Sequence, residues 1–325
     1  MSRSNDPGHF FQTDAALSTS ARKAQKSSNK KGNPVKLASK ILDVAVDPLD
    51  GDAVYVAEAA GTVKRVSVEG EGKRILATYT GPEAPLACVA VSPKTDGKGA
   101  TIYAGSWDKT IWTWDAATKT PGHRFRAHAD FVKALLLVSL QGTPLLISGS
   151  ADATIIIWDA ASGVKLHTLK GHTRGVLDLA LDTATYDPAG GEVVFFSAGS
   201  DREIRRWVVT PTSAREDKAE GYPMLPHETS VDALVFDSDG DLWSASADKT
   251  VKCLSRSRAW EEDTSLEHPD YARDVVVDEV GGWIVTACRD EEVRVWERGS
   301  GKLHHVFEGH FEEVTALVLL GDSAW

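Results

Sequence analysis

LLISGSADATIIIWDAASGVKLHTLKGH, from Leu145 to His172, is the stretch that the rest of the chain repeats. An apolar run, Leu145-Leu146-Ile147, turns over at Ser150-Ala151-Asp152-Ala153-Thr154 into a second run, Ile155-Ile156-Ile157-Trp158. β-Branched residues are stiff at χ1 and favour a pleated backbone, so both runs read as strands. Ser162-Gly163 makes another turn into a third strand, Val164 to Leu169, which ends at Gly171-His172. Continuous apolar runs of this length, bounded by turn residues, suit strands buried on both faces. Three short strands cannot close a core, so copies are expected elsewhere.

The copies are present. The turn aspartate recurs as Asp108, Asp152, Asp201, Asp248 and Asp290, and a worn copy puts Ala60 in its place. The period is roughly 42 to 49 residues, near that of a four-stranded propeller blade. A further strand precedes each copy and is led by a histidine: His128, His172, His227 and His310 each have Val four residues on, and His268 has Ala272. In these SADxT, WD and GH signals the chain resembles the WD40-repeat family, from about Val35 to the end.

The resemblance implies an all-β, seven-bladed propeller, with blades beginning near 41, 86, 132, 176, 231, 272 and 314 and occupying residues 34–325. Pro34 to Leu37 is expected to supply an outer strand. The seventh blade is expected to be incomplete, since Val314 to Leu319 matches a first strand and Trp325 falls where a second would begin. On that expectation the chain is a truncated ring lacking on the order of 20 residues. Long connections at Ser92 to Ala100, Asp182 to Glu192 and Thr210 to Pro226 are candidate binding loops on the opposite, bottom face. The last is expected to join the third and fourth strands of blade four.

Composition sets the broad class. The chain has 325 residues, 42% hydrophobic and 26% charged, as ordinary globular proteins do. No run of about 18 apolar residues occurs, so no membrane helix is expected. Cys88, Cys253 and Cys288 lie in separate strands without a CxxC pair and read as small buried hydrophobes of a reducing compartment, cytoplasmic or nuclear. Net charge is −11, and residues 1–40 carry eight Lys/Arg against two Asp, or +6, leaving −17 for the remainder. An acidic body is a poor match for nucleic acid, itself a dense array of negative charge. Residues 1–33 read as a disordered basic tail, whose charge suits RNA contact.

Three blades hold Ser or Thr, His, Asp and Trp in one arrangement: His128, Ser148, Asp152 and Trp158; His172, Ser197, Asp201 and Trp207; His268, Thr286, Asp290 and Trp296. A triplicated hydrolase triad is the alternative to weigh, but a nucleophilic serine sits on an exposed, strained turn such as GxSxG, which is absent. The resemblance assigns these residues to a hydrogen-bond chain inside each blade. A buried carboxylate needs such partners or costs several kcal/mol. GxxxxGK, GxGxxG and HExxH are also absent, so no cofactor is expected. His304-His305 cannot share an ion, because adjacent strand residues face opposite ways.

The resemblance places the binding surface at the top face, where the His-led loops and Asp turns meet the central channel. Phe131, Lys133, Asp232, Tyr271 and Arg273 follow the histidines by three or five residues, and Trp107 and Arg289 precede turn aspartates. Aromatic and charged residues around a concavity have the composition of a protein-binding hot spot. The sequence therefore points to a non-enzymatic scaffold for a peptide or partner domain within a multi-subunit complex. The alternatives are a ubiquitin-ligase substrate receptor and an RNA- or ribosome-associated factor acting through the tail. The first needs an F-box or a WDxR motif, and Trp114-Asp115-Ala116-Ala117, Trp158-Asp159-Ala160-Ala161 and Trp296-Glu297-Arg298-Gly299 supply no Arg at the fourth place.

Overall fold

The computed structural model describes residues 34–69, 74–92, 99–219 and 221–320, with Ala21, Ala24 and Lys26. Most of the basic tail, and the end of the chain at 321–325, lie outside the described residues. Blade one is β1 (Ile41–Val46), β2 (Ala53–Glu58), β3 (Val63–Ser67) and β4 (Ile75–Tyr79). Blade two is β5 (Leu86–Val91), β6 (Thr101–Ser106), β7 (Thr110–Asp115) and β8 (Phe125–Arg126). Blade three is β9 (Val132–Leu140), β10 (Thr143–Ser150), β11 (Thr154–Asp159) and β12 (Lys165–Lys170). Blade four is β13 (Val176–Leu181), β14 (Val193–Gly199), β15 (Ile204–Val209) and β16 (Ala214–Glu216). Blade five is β17 (Val231–Phe236), β18 (Leu242–Ser246), β19 (Thr250–Ser255) and β20 (Glu261–Glu267). Blade six is β21 (Ala272–Asp278), β22 (Trp283–Cys288), β23 (Glu292–Glu297) and β24 (Leu303–Glu308). Each is an antiparallel sheet whose strands pair in chain order.

The second strands are the most buried because neighbouring blades cover them on both faces. β2 and β14 are buried at every residue, as the continuous apolar runs require. Between blades three and four, Ile147, Ile155 and Ile157 pack against Phe195 and Trp207. The first strands β1, β5, β9, β13, β17 and β21 stand side by side around the channel.

The tight turn between second and third strands has one conformation throughout. The residue after the aspartate is left-handed: Lys109, Ala153, Arg202, Lys249 and Glu291 have φ between 66° and 74°. Left-handed backbone strains a residue with a Cβ, and the aspartate offsets that by accepting the amide two residues on, as Asp152 does from Thr154 at 2.9 Å. Blade one has no such aspartate and uses Gly61, φ 76°. A Cβ there would come within 2.5 Å of the Pro82 carbonyl oxygen.

Among the described residues the ring has six blades, which corrects the expectation of seven. Residues 313–320 form no strand. They run between blades six and one, with Val314 and Leu317 against Val285 and Ala287, and Val318 and Leu320 against Val54, Val56 and Val66. Apolar spacing fixes which side chains bury; a ladder also needs a partner's amides. Here the Leu317 amide goes to the Asp274 carboxylate at 2.6 Å, and the Thr315 hydroxyl to the Ile41 carbonyl at 3.0 Å. Pro34 to Leu37 forms no strand either, and Val35 and Leu37 pack on blade one. The segment from Thr210 to Pro226 contains the fourth strand, β16, rather than preceding it. Its Met224 then pairs with Ile204 at the start of β15, with both amide bonds at 2.9 Å.

Candidate partner-binding face

Two hydrogen-bond relays stand in blades three and four. In blade three, His128 Nδ1 meets Asp152 at 3.0 Å and Nε2 meets Ser148 Oγ at 2.8 Å, while Trp158 Nε1 donates to the same hydroxyl at 2.9 Å. In blade four the distances are 2.9 Å from His172 to Asp201, 2.6 Å to Ser197 and 2.8 Å from Trp207 to Ser197. Burial raises the Asp201 carboxyl, but the bonds from His172, Thr173 and Glu203 outweigh it and hold the group down at about 2. Ser148 and Ser197 are 0% exposed, so no substrate carbonyl can reach either oxygen.

Blade six departs from the arrangement read in the sequence. His268 Nε2 reaches Thr286 Oγ1 at 2.8 Å and Trp296 donates to that oxygen at 2.9 Å, but His268 Nδ1 turns to the Leu266 carbonyl at 3.1 Å. Asp290 accepts from Arg294 at 2.6 Å and 3.2 Å instead. Burial, followed by the Arg294 charge, pulls the His268 imidazole down to about 4. Blade five, by contrast, carries a relay without a tryptophan: His227 bonds Asp248 at 2.9 Å and Ser244 at 2.8 Å, and Leu254 occupies the Trp place. His227 and Asp248 were visible as repeat positions, but the missing Trp hid their partnership with Ser244.

The top-face residues form two stations. Trp107, from the turn of blade two, stacks on Phe131, which leads blade three, with ring centroids 5.0 Å apart and planes 12° from parallel. The Lys133 ammonium lies 5.1 Å from the Trp107 ring and 5.9 Å from Phe131. In blade six the Arg289 guanidinium lies 5.0 Å from the Tyr271 ring. Arg273 donates to Asp232 at 2.9 Å and approaches Glu313 at 3.8 Å. Trp107 and Tyr271 are each 37% exposed, so both rings present a face to solvent as well as to their partners. Blade order puts the two stations half a ring apart.

A bulge in each first strand delivers the residues between them. The ladder of every blade skips the strand's second position: Leu42, Ala87, Lys133, Leu177, Asp232 and Arg273. A bulged residue leaves the pairing pattern and its side chain is re-aimed. All six line the central channel, a cavity of about 170 Å³.

The third positions were missed in the sequence. Asp43, Asp178 and Asp274 each accept the amide of the following residue at 2.8 Å. The other carboxylate oxygen accepts an amide from the next unit of the ring: Val89 at 2.7 Å, Leu234 at 2.8 Å and Leu317 at 2.6 Å. These aspartates therefore staple blade one to two, four to five, and six to the 314–320 segment. Burial raises all three, to about 6, 7 and 8 respectively, although each lines the channel and is only part-buried by surface area. The available signal was an acid at the third place of the first strand, in ILDV, VLDL and ARDV.

Cys88, Cys253 and Cys288 are free and buried, and burial raises their thiols. His304 packs on Trp283 at 4.5 Å and His305 on Phe307 at 4.6 Å, on different neighbours. No helix among the described residues is long and apolar enough to cross a membrane. Lys26 of the basic segment is buried, donating to Glu291 and to the His310 carbonyl at 2.8 Å and 2.9 Å.

Blades of repeated four-stranded sheet around a channel, with Asp-His-Ser-Trp relays inside them, define a β-propeller of the WD-repeat class. Residues 73–115, 119–159, 163–207 and 223–254 match the WD domain, G-beta repeat family. A WD repeat-containing protein of Schizosaccharomyces pombe is 37% identical over 324 residues, 97% of this chain and 85% of that protein. The chain belongs to the WD40-repeat family. It is also similar to the nuclear distribution protein nudF of Aspergillus niger, 31% identical over 42% of this chain and 30% of that one. Coronin-7 of Rattus norvegicus is 30% identical over 36% of this chain and 12% of its own length.

Proposed function

We propose that the chain is a non-enzymatic scaffold that holds a peptide or partner domain on the top face. The observation that carries this reading is the pair of half-exposed aromatic–cation stacks, Trp107–Phe131–Lys133 and Tyr271–Arg289, at the channel entrance. Aromatic rings already stacked, and cations already resting on them, lose little freedom when a ligand arrives. Three relays serve as framework for this face: His128, His172 and His227 each tie the loop they lead to the neighbouring turn, whereas His268 does not. Three reduced, buried thiols suit the cytoplasm or nucleus.

Affinity purification of the intact protein beside a variant with Trp107, Phe131, Tyr271 and Arg289 all changed to Ala tests the reading. Proteins retained by the first and lost from the second are the top-face ligands. Individual alanines at true anchors should cost about 2 kcal/mol or more in binding. An unchanged set of retained proteins would move the site to the bottom loops or the tail.

A further inference from the structure

Cations without a hydrogen-bonded carboxylate collect on the top face of a body that is otherwise strongly acidic. Arg289 rests on Tyr271, and its guanidinium has no hydrogen-bond or ion-pair partner among the described residues. It lines a groove of about 510 Å³ with Lys40, Arg273, Glu312 and Glu313, three cations against two carboxylates. Glu313 is already held by Lys40, and Asp232 by Arg273. A second groove, of about 720 Å³, lies between blades four and five and carries Arg174 and Arg202 beside the hydroxyls of Thr173, Ser200, Thr229 and Ser230. Its Asp201 is engaged by His172, leaving Glu228 against two exposed arginines that have no ion pair among the described residues. Lys133, over the Trp107 and Phe131 rings, is likewise without a carboxylate in ion-pair distance, and burial lowers its ammonium.

We infer that the top-face partner is an acidic peptide segment, with carboxylates seated on Arg289 and on the Arg174–Arg202 pair as it crosses the channel mouth. The inference rests on the top-face reading above and adds the ligand's chemistry. Stacking on Tyr271 leaves the guanidinium edge and its donors free, and that fork matches a carboxylate with two parallel bonds. The hydroxyl-lined groove supplies short-range donors for the same kind of acceptor. Local positive charge on a body of −17 also concentrates steering of an anionic ligand onto one face.

The test is to pan a random-peptide phage library on the full chain, then measure the selected peptides against point variants by fluorescence polarisation. Selected sequences should be enriched in Asp and Glu. Their affinity should fall about tenfold or more in Arg289→Glu and in Arg174→Glu with Arg202→Glu, and should weaken with salt. Both variants alter exposed side chains, so a matching thermal melt confirms that the fold is intact. Neutral or basic peptides whose binding still depends on Trp107 would overturn the inference and leave the top-face reading standing. Peptides that bind only when phosphorylated would overturn the carboxylate assignment. Selected peptides indifferent to Trp107, Tyr271 and Arg289 alike would bring down the top-face reading itself.

Discussion

Blades four and six carry the same residues at equivalent places, yet only blade four closes its relay. Glu203-Ile204-Arg205-Arg206-Trp207, from the residue just before β15, corresponds to Glu292-Val293-Arg294-Val295-Trp296 in β23. The difference begins with where the shared arginine goes. In blade four, Arg205 pairs with Glu203 and with Glu216 on the outer strand β16, leaving Asp201 to His172. In blade six the ladder place that Glu216 holds opposite Trp207 is taken by Leu303 opposite Trp296, and the arginine takes Asp290 and Glu292. His268 then turns to a backbone carbonyl. A carboxylate one strand away decides whether a histidine at the heart of the blade has its partner.

The largest loss of stability is expected at the tryptophans. Trp207 is 1% exposed and packs on Phe195 and on blade three, so Trp207→Ala should cost about 3–5 kcal/mol in urea denaturation. The aspartates should then separate the two blades. Asp201→Ala leaves His172 and the Thr173 amide without an acceptor and should cost about 1–3 kcal/mol. Asp290→Ala leaves His268 bonded as before and Arg294 still paired with Glu292, so its cost should be visibly smaller. Equal costs would show that the two turns depend on their aspartates in the same way.

The pH dependence sharpens the contrast, and its sign follows from the direction of each shift. His268, held down at about 4, binds a proton less readily folded than unfolded. Its neutral form is fully compatible with the fold above about pH 6.5, and stability drains away as pH falls from there towards 4. Asp201, held down at about 2, contributes in full above its unfolded value near 4 and is lost only as pH falls through about 2. Acidification from pH 6.5 to 4.5 should therefore strain blade six first, and His268→Gln should flatten that part of the profile. An unchanged slope in the variant would remove His268 from the account.

The smallest expected effect is a repair. Arg294→Ile copies the Ile156 of blade three and frees Asp290 to accept from His268 Nδ1. Stability should change by no more than about 1 kcal/mol, since one charged bond is exchanged for another. Nitrogen-detected NMR of the imidazole should nevertheless show His268 titrating at higher pH than in the parent. No change in its titration would mean that Arg294 is not what turns the ring away.

Much of this was legible in the sequence, and the failures have physical causes. The SADxT turn, the WD dipeptide and the His-led strand identified the family because each is a local pattern with a local partner. The partnership of His268 was not legible, since it depends on Leu303, on a different strand from the arginine it leaves unclaimed. The seventh blade was misjudged for a related reason: Val314 to Leu319 has the apolar spacing of a first strand, and spacing reports burial without reporting a ladder. The channel aspartates were overlooked because Asp43, Asp178 and Asp274 look like interruptions of apolar strands until their amide partners one unit away are seen. At the top face, the sequence supplied the residues and the structure supplied their pairing, Trp107 on Phe131 and Arg289 on Tyr271.

If relays hold the blades and a separate face holds the partner, stability and binding should come apart. Thermal midpoint and retained partner are measured together for two variants: Trp207→Ala, buried in its blade and lining neither groove, and the pair Trp107→Ala with Arg289→Ala. The first should melt earlier but, below its midpoint, keep its partner, while the second should melt with the parent and lose the partner. A folded Trp207→Ala protein that has lost its partner, or a face variant that retains its partner in full, would overturn this division.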